Sequence, residues 1–279
     1  MITIDEVREQ FERNEELATF HPLAIKIMNM VEDPDVSIVE LEKVIEKDPV
    51  IAAEVIRVAN SPLYMPSQQI KSLRYAISYL GMAVVRSIVI VTALRSVYKK
   101  VKNTEVASYL WKHSLISATF ARELTTSVLS NKLNKEITFL ITLVHDIGKI
   151  ALLNFYTDLY QRVFVEVKNG GQFFTAEREI IGVDHCEVGA LLLGRWLFPV
   201  EFVETVAKHH EEPFDDYTAI ILLSNLFSSS MTDVLINPIG YMAYKDRALE
   251  ILGVDSYIFS QVVDSAKKKL EKSGDLLSV

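Results

Sequence analysis

Five of the six histidines in the chain fall into one arrangement: His113, then His145-Asp146, then His185, then His209-His210. The run around the central pair reads Val144-His145-Asp146-Ile147-Gly148-Lys149. Imidazole and carboxylate are the common side-chain ligands of Zn, Fe and Mn, so this concentration points to a buried metal site. Neighbouring residues on a helix diverge by about 100°. His145 and Asp146 can both serve one site if an ion sits over a helix end or if the aspartate bridges two ions. Gly148 permits close approach by a neighbouring segment. Lys149 offers a positive charge suited to an anionic phosphate, against the commoner use of a lysine as a solvated cation. The competing reading of the pair is a core histidine satisfied by its own aspartate.

The elements that must position these groups read as helices. His113 shares a face with Leu110, Phe120 and Leu124, and His210 extends the stripe Val203, Val206. Asn225 follows Leu222 by three and Ile221 by four, so it also points inward. An unpaired buried polar group costs roughly 1–3 kcal/mol, so these three need partners. A shared metal or ordinary hydrogen bonds would supply them.

Ser37 with Glu40 forms a capping box for a helix through about Lys47, and Asp48-Pro49 opens the next, which ends near Asn60-Ser61-Pro62. Ser72 to Leu80 is a helix stopped by Gly81, and Met82 to Tyr98 is apolar nearly all round, as a buried core helix is. The polar stretch Lys99 to Glu105 is the expected boundary between two halves, 1–104 and 105–279. Further helices are predicted near 106–129, 135–154, 157–169, 175–182, 185–197, 200–211, 216–229, 243–252 and 255–273, with Asp184 and Glu187 as a capping box. Lys267-Lys268-Lys269 reads as a solvated helix face. The 240–279 segment is amphipathic enough to pack on the body or to mediate dimerisation. Period-2 strand patterns are missing. The expected fold is all-α, in two packed helical subdomains.

Composition narrows the class. The chain has 279 residues, 49% hydrophobic and 24% charged, with a net charge of −8. That is globular rather than disordered, and it lacks the global basic field of a nucleic-acid binder. Its one cysteine, Cys186, fits a reducing compartment. The first ten residues lack the basic start and apolar run of a signal peptide. The most apolar stretch, Ser87 to Leu94, is far too short for a membrane span. A cytoplasmic protein without membrane or nucleic-acid partners is the expectation.

The pattern His113, His145-Asp146-Ile147-Gly148-Lys149, His185, His209-His210-Glu211 resembles the HD superfamily of metal-dependent phosphohydrolases. It is most similar to the histidine-rich HD-GYP cyclic-dinucleotide phosphodiesterases. The first half resembles the HDOD domain: His21-Pro22-Leu23, Glu32-Asp33-Pro34-Asp35, Ile45-Glu46-Lys47-Asp48-Pro49, Val58-Ala59-Asn60-Ser61-Pro62-Leu63-Tyr64 and Ile70 to Gly81. The resemblance covers about residues 15–230 and implies an HD-type helical bundle in the second half. Residue by residue, it implies metal ligation by His113, His145, Asp146, His185, His209 and His210, holding one or two divalent ions. Fe or Mn is favoured, with Zn or Ni as alternatives. Any catalysis would rest on Asp146 and Lys149.

The superfamily's closing aspartate falls on Asn225, which keeps an oxygen but loses the charge. That substitution, with the HDOD-like half, implies a signal-transduction protein that retains the metal site with little or no hydrolysis. Its partner would be a separate signalling protein, and its ligand a nucleotide or cyclic dinucleotide. The alternative is a phosphohydrolase acting on such a nucleotide.

Overall fold

A computed structural model describes residues 1–14, 17, 19–31, 33, 35–101, 103–212, 214–231 and 242–271. Glu32 and Pro34 of the first-half motif, Lys102 of the polar stretch, and 232–241 and 272–279 of the C-terminal region lie outside the described residues. Among those described there is no strand, and the fold is all-α as the patterning predicts.

Capping chemistry sets many of the helix starts. Helix α1 (Ile4–Arg13) opens on a Thr3–Glu6 capping box and was not legible in the charge-rich N-terminus. Helix α2 spans Pro22–Val31. Ser37 with Glu40 opens α3 (Ile38–Ile45), and Asp48 with Pro49 at the first position opens α4 (Pro49–Ala59). Asn60 then holds the following loop closed. Its Nδ2 donates to the Ile56 and Ile70 carbonyls at 2.9 and 2.8 Å, and its Oδ1 accepts from Ile70 N at 2.8 Å. Helix α5 (Leu73–Leu80) ends at Gly81, whose φ of 84° suits glycine. The buried helix α6 (Met82–Lys99) follows at once.

The second half runs through α7 (Thr104–Val128), α8 (Lys135–Val144), α9 (Ile147–Phe155), α10 (Thr157–Lys168), α11 (Phe173–Ile180), α12 (His185–Arg195), α13 (Val200–Lys208) and α14 (Asp216–Met231). It closes with α15 (Lys245–Leu252) and α16 (Ser256–Glu271). Two expectations are corrected here. The single helix over 135–154 is two, broken at His145-Asp146, where Asp146 leaves helical geometry at φ −99° and ψ 10°. The apolar run continues through the break, so hydrophobic spacing could not reveal it. The helix expected to reach 211 stops at Lys208, which leaves His209-His210 in the turn beyond it.

One hydrophobic cluster runs from Val7 to Ile221, drawing on residues either side of the polar 99–105 stretch. The N-terminal segment is tied onto the second half: Ile2 N donates to the Ile181 carbonyl at 2.6 Å, Trp196 Nε1 donates to the Leu17 carbonyl at 3.2 Å, and Phe20 stacks on Trp196. A second cluster, around Phe120, Phe227 and Phe259, places α15 and α16 against α7 and α14. Lys269, from the run expected to be solvated, pairs with the nearly buried Glu123. No single helix among the described residues is long and apolar enough to cross a membrane.

Helices α9 and α12 pack backbone against backbone. A Cβ on Gly148 would collide with the His185 carbonyl oxygen and lie 2.7 Å from the Gly189 nitrogen. Gly148→Ala is expected to cost about 3 kcal/mol or more in urea denaturation, because backbone must move to admit the methyl. Gly194→Ala, on the exposed side of the same α12 with nothing near its added Cβ, should stabilise by up to about 1 kcal/mol. Equal stability of the two variants would contradict the close approach.

Candidate metal centre

Four of the candidate ligands sit at helix ends. His145 closes α8, Asp146 precedes α9, His185 opens α12 and His209 follows α13. His113 and Asn225 project from the middle of α7 and α14. The termini of four helices thus converge on one point, flanked by two longer helices. Apart from the half-buried His210, every one of these residues is nearly sealed from solvent.

The rings are fixed by what their Nδ1 atoms touch. His145 Nδ1 donates to the Thr142 carbonyl at 2.7 Å, and His209 Nδ1 to the Val206 carbonyl at 2.8 Å. His185 Nδ1 donates to Glu177 Oε2 at 2.6 Å, and the same oxygen accepts the His185 backbone N–H at 2.8 Å. Tyr160 donates to the other Glu177 oxygen at 2.8 Å. His113 Nδ1 lies 3.0 Å from Ser228 Oγ. An Nδ1–H engaged in this way leaves Nε2 as the lone-pair atom, so these rings aim basic nitrogens at the centre. Glu177, Tyr160 and Ser228 escaped the sequence reading, since no spacing rule links them to the ligands they orient.

Asp146 stands between two groups of ligands. Its Oδ2 lies 3.3 Å from His113 Nε2 and 3.4 Å from His145 Nε2. Its Oδ1 lies 3.4 Å from His185 Nε2 and 3.9 Å from His209 Nε2. His185 Nε2 is in turn 3.3 Å from His209 Nε2 and 3.1 Å from His210 Nε2. The donor atoms form two clusters that could each hold an ion, one of His113, His145 and Asp146, the other of His185, His209 and His210 with Cys186 alongside. Cys186 Sγ lies 3.6 and 4.0 Å from the two nitrogens of His209, against the ring, and burial pushes its thiol well above the usual range.

These residues fit a transition metal on two counts. Ion–ligand bonds of ~2.0–2.1 Å hold adjacent ligand atoms about 3.0–3.4 Å apart, from octahedral to tetrahedral geometry, and most of the separations above match that spacing. Three buried atoms of these residues also find no hydrogen-bond partner among the described residues: His145 Nε2, Asp146 Oδ1 and Asn225 Oδ1. All three are electron-pair donors, so a cation satisfies them where a further hydrogen-bond acceptor would not. Asn225 lies one turn before Ser228 on α14, on the flank that meets His113.

Electrostatics give the centre its charge. Burial pushes the His145 imidazole down to about 4, and burial together with neighbouring imidazoles holds His209 and His210 well below the usual range. Burial opposes ionisation of Asp146, but His145, Lys149, His113 and His185 outweigh it and keep its carboxyl well below the usual carboxylate range. Lys149, expected more often as a solvated cation, is buried. Its Nζ donates to Asp146 Oδ2 at 2.7 Å and lies 4.3 Å from the centre of the Phe173 ring. It therefore shares Asp146 Oδ2 with His113 and His145.

A pH dependence follows for the metal-free chain. The folded His145 titrates near 4 and an unfolded histidine near ~6.5, so the unfolded state takes up protons first as pH falls. Stability should drop by about 3 kcal/mol between about pH 6.5 and 4 from this residue alone, with His209 and His210 adding in the same direction. The Asp146 contribution persists above about pH 4 and is lost below it. Urea denaturation in chelator across this window measures the slope, and a flat profile would contradict burial of neutral imidazoles.

Comparison with known proteins places these features. A family model described as the HDOD domain matches residues 17–212. An HDOD domain protein of unknown function from Geobacter sulfurreducens superposes with a TM-score of 0.77 at 26% identity, covering 97% of this chain and 96% of that one. A protein described as a candidate phosphohydrolase, from Shewanella amazonensis SB2B, gives 0.74 at 20% identity over 96% and 98% of the two chains. A candidate signal transduction protein from Marinobacter aquaeolei VT8 gives 0.78 at 18% identity over 95% and 60%. These last two likenesses are of fold alone. An uncharacterized protein of Treponema pallidum (strain Nichols) is 19% identical over 209 residues, 75% of this chain, and the chain spans only 40% of that relative's length.

Proposed function

This chain belongs to the HDOD domain family, and we propose that it is a regulatory protein of bacterial signal transduction that retains an HD-type divalent metal site with little or no hydrolase activity. The observation that carries the metal is the set of inward Nε2 atoms around Asp146, with His145 Nε2 and Asp146 Oδ1 left without partners. His145, Asp146, His185, His209 and His210 would be its main holders, with His113 beside Asp146 Oδ2 and Asn225 Oδ1 as a neutral donor. Fe or Mn suits this mixed nitrogen and oxygen set, and Zn or Ni remains compatible. Bound there, a divalent ion would supply Lewis acidity.

Three features support regulation over turnover. Asn225 offers no charge to the ion and no carboxylate base to a water. The ligands, His210 excepted, are nearly sealed from solvent, which leaves little surface for a phosphoester. Lys149 spends its ammonium on Asp146 rather than on a substrate phosphate. In this reading the chain works in the cytoplasm through a separate signalling protein, with a nucleotide or cyclic dinucleotide as its ligand and without membrane or nucleic acid.

The second reading is a metal-dependent phosphohydrolase acting on such a nucleotide. The two adjacent ligand groups, His113-His145-Asp146 and His185-His209-His210, favour it, because a pair of ions suits displacement at a phosphoryl centre.

Metal loading tests the premise of both readings, and turnover separates them. Protein without a histidine tag, reconstituted anaerobically with Fe(II) or Mn(II), should hold about one to two equivalents of metal. Less than about a tenth of an equivalent would leave a purely structural histidine cluster. The loaded protein should hydrolyse bis-nitrophenyl phosphate no faster than His145→Ala, and Asn225→Asp should tighten metal binding by about tenfold or more. Turnover that disappears in His145→Ala would establish the phosphohydrolase instead.

A further inference from the structure

A second cavity lies away from the histidine cluster, between the two halves of the chain. It measures about 370 Å³ and is walled by α4, α6 and the loop after α4 on one side and by α7, α8 and α16 on the other. That volume falls within the usual range for small-molecule sites, which favour such junctions. Val84, Ile88 and Leu115 give it an apolar wall, and Phe139 lies on the same lining.

Its polar end is built from buried groups. Glu136 is 3% exposed. Its Oε2 accepts from Ser87 Oγ at 2.8 Å, across the junction, and from Arg122 Nη2 at 2.9 Å. The Arg122 guanidinium lies over the Phe139 ring at 3.8 Å. The acids of the lining are already paired: Glu136 with Arg122, Glu123 with Lys269, and Glu54 with Arg57. Two cationic groups of the lining retain donor capacity. Arg122 keeps a buried Nε–H without an acceptor, and Lys135, on the same lining, makes no ion pair among the described residues.

We propose that this cleft binds a small amphipathic anion, with its apolar body against Val84, Ile88 and Leu115 and its carboxylate or equivalent group on Arg122 and Lys135. The site is independent of any metal. It shares two helices with the histidine cluster, however. Arg122 lies on α7 about 14 Å along the axis from His113, and Phe139 lies on α8, which His145 closes. A ligand that spreads or draws together the two halves would act on the helices that carry two of the metal-site residues.

The test uses the full chain, metal-free in chelator, with anilinonaphthalene sulfonate as the fluorescent probe. Decanoate should displace the probe at least about tenfold better than decanol or decylamine. Val84→Trp should weaken probe and decanoate binding by about tenfold or more, and Lys135→Gln should narrow the preference for decanoate over decanol. If Val84→Trp does not give a native thermal transition, Thr119→Phe fills the opposite wall to the same end. Unchanged binding in a folded cavity-filling variant, or equal displacement by decanoate, decanol and decylamine in the parent protein, would overturn the proposal.

Discussion

A carboxylate taken out of water must be compensated, and in this chain that carboxylate is Asp146. Lys149 neutralises one of its oxygens, and the imidazoles of His113, His145, His185 and His209 surround both. Desolvation would otherwise leave a charge whose burial costs several kcal/mol. The surrounding fold answers that requirement. The chain breaks a long apolar run to turn His145 and Asp146 inward, brings α9 against α12 so closely that only glycine fits at position 148, and sets His185 on α12 so that Glu177 can hold its ring.

The convergence of helix ends explains how a rigid all-α scaffold builds such a centre. A side chain in mid-helix is confined to one face, but a terminal residue can point along the axis, and its backbone hydrogen-bonding groups are free to be capped. Asp184 caps α12 with Glu187 in a capping box, which places His185 at the first helical position. Thr142 and Val206, three residues before His145 and His209, offer their carbonyls to the rings. His145 and His209 are therefore oriented by their own local segments, whereas His185 and His113 take their orientation from Glu177 and Ser228 on other helices.

Much of this was legible in the sequence, for identifiable reasons. Capping residues such as Ser37, Asp48 and Asp184 act locally, so their helices start where the sequence places them. The inward faces of His113 and Asn225 follow from helical period. The break at His145-Asp146 was hidden because Leu143, Val144 and Ile147 continue the apolar pattern on both sides. Helix α1 was hidden by its surface character, although Val7 and Phe11 bury one face against the core. Glu177 and Ser228 were hidden although they lie near His185 and Asn225 in sequence, because nothing but the tertiary fold brings them to the rings of His185 and His113. The burial of Lys149 was hidden too, since lysine composition argues for solvent and only the Asp146 partner reverses it.

The central claim is that inward lone pairs around Asp146 make a metal site. The most direct measurement is a crystal structure of protein reconstituted anaerobically with Fe(II) or Mn(II), with anomalous differences recorded at the metal edge. The account expects a peak about 2.0–2.3 Å from the Nε2 atoms of His185 and His209 and from an oxygen of Asp146, with their Nδ1 contacts to Glu177 and the Val206 carbonyl retained. No anomalous peak in the fully reconstituted crystal, with the His185 and His209 nitrogens bridged only by protons or water, would contradict it.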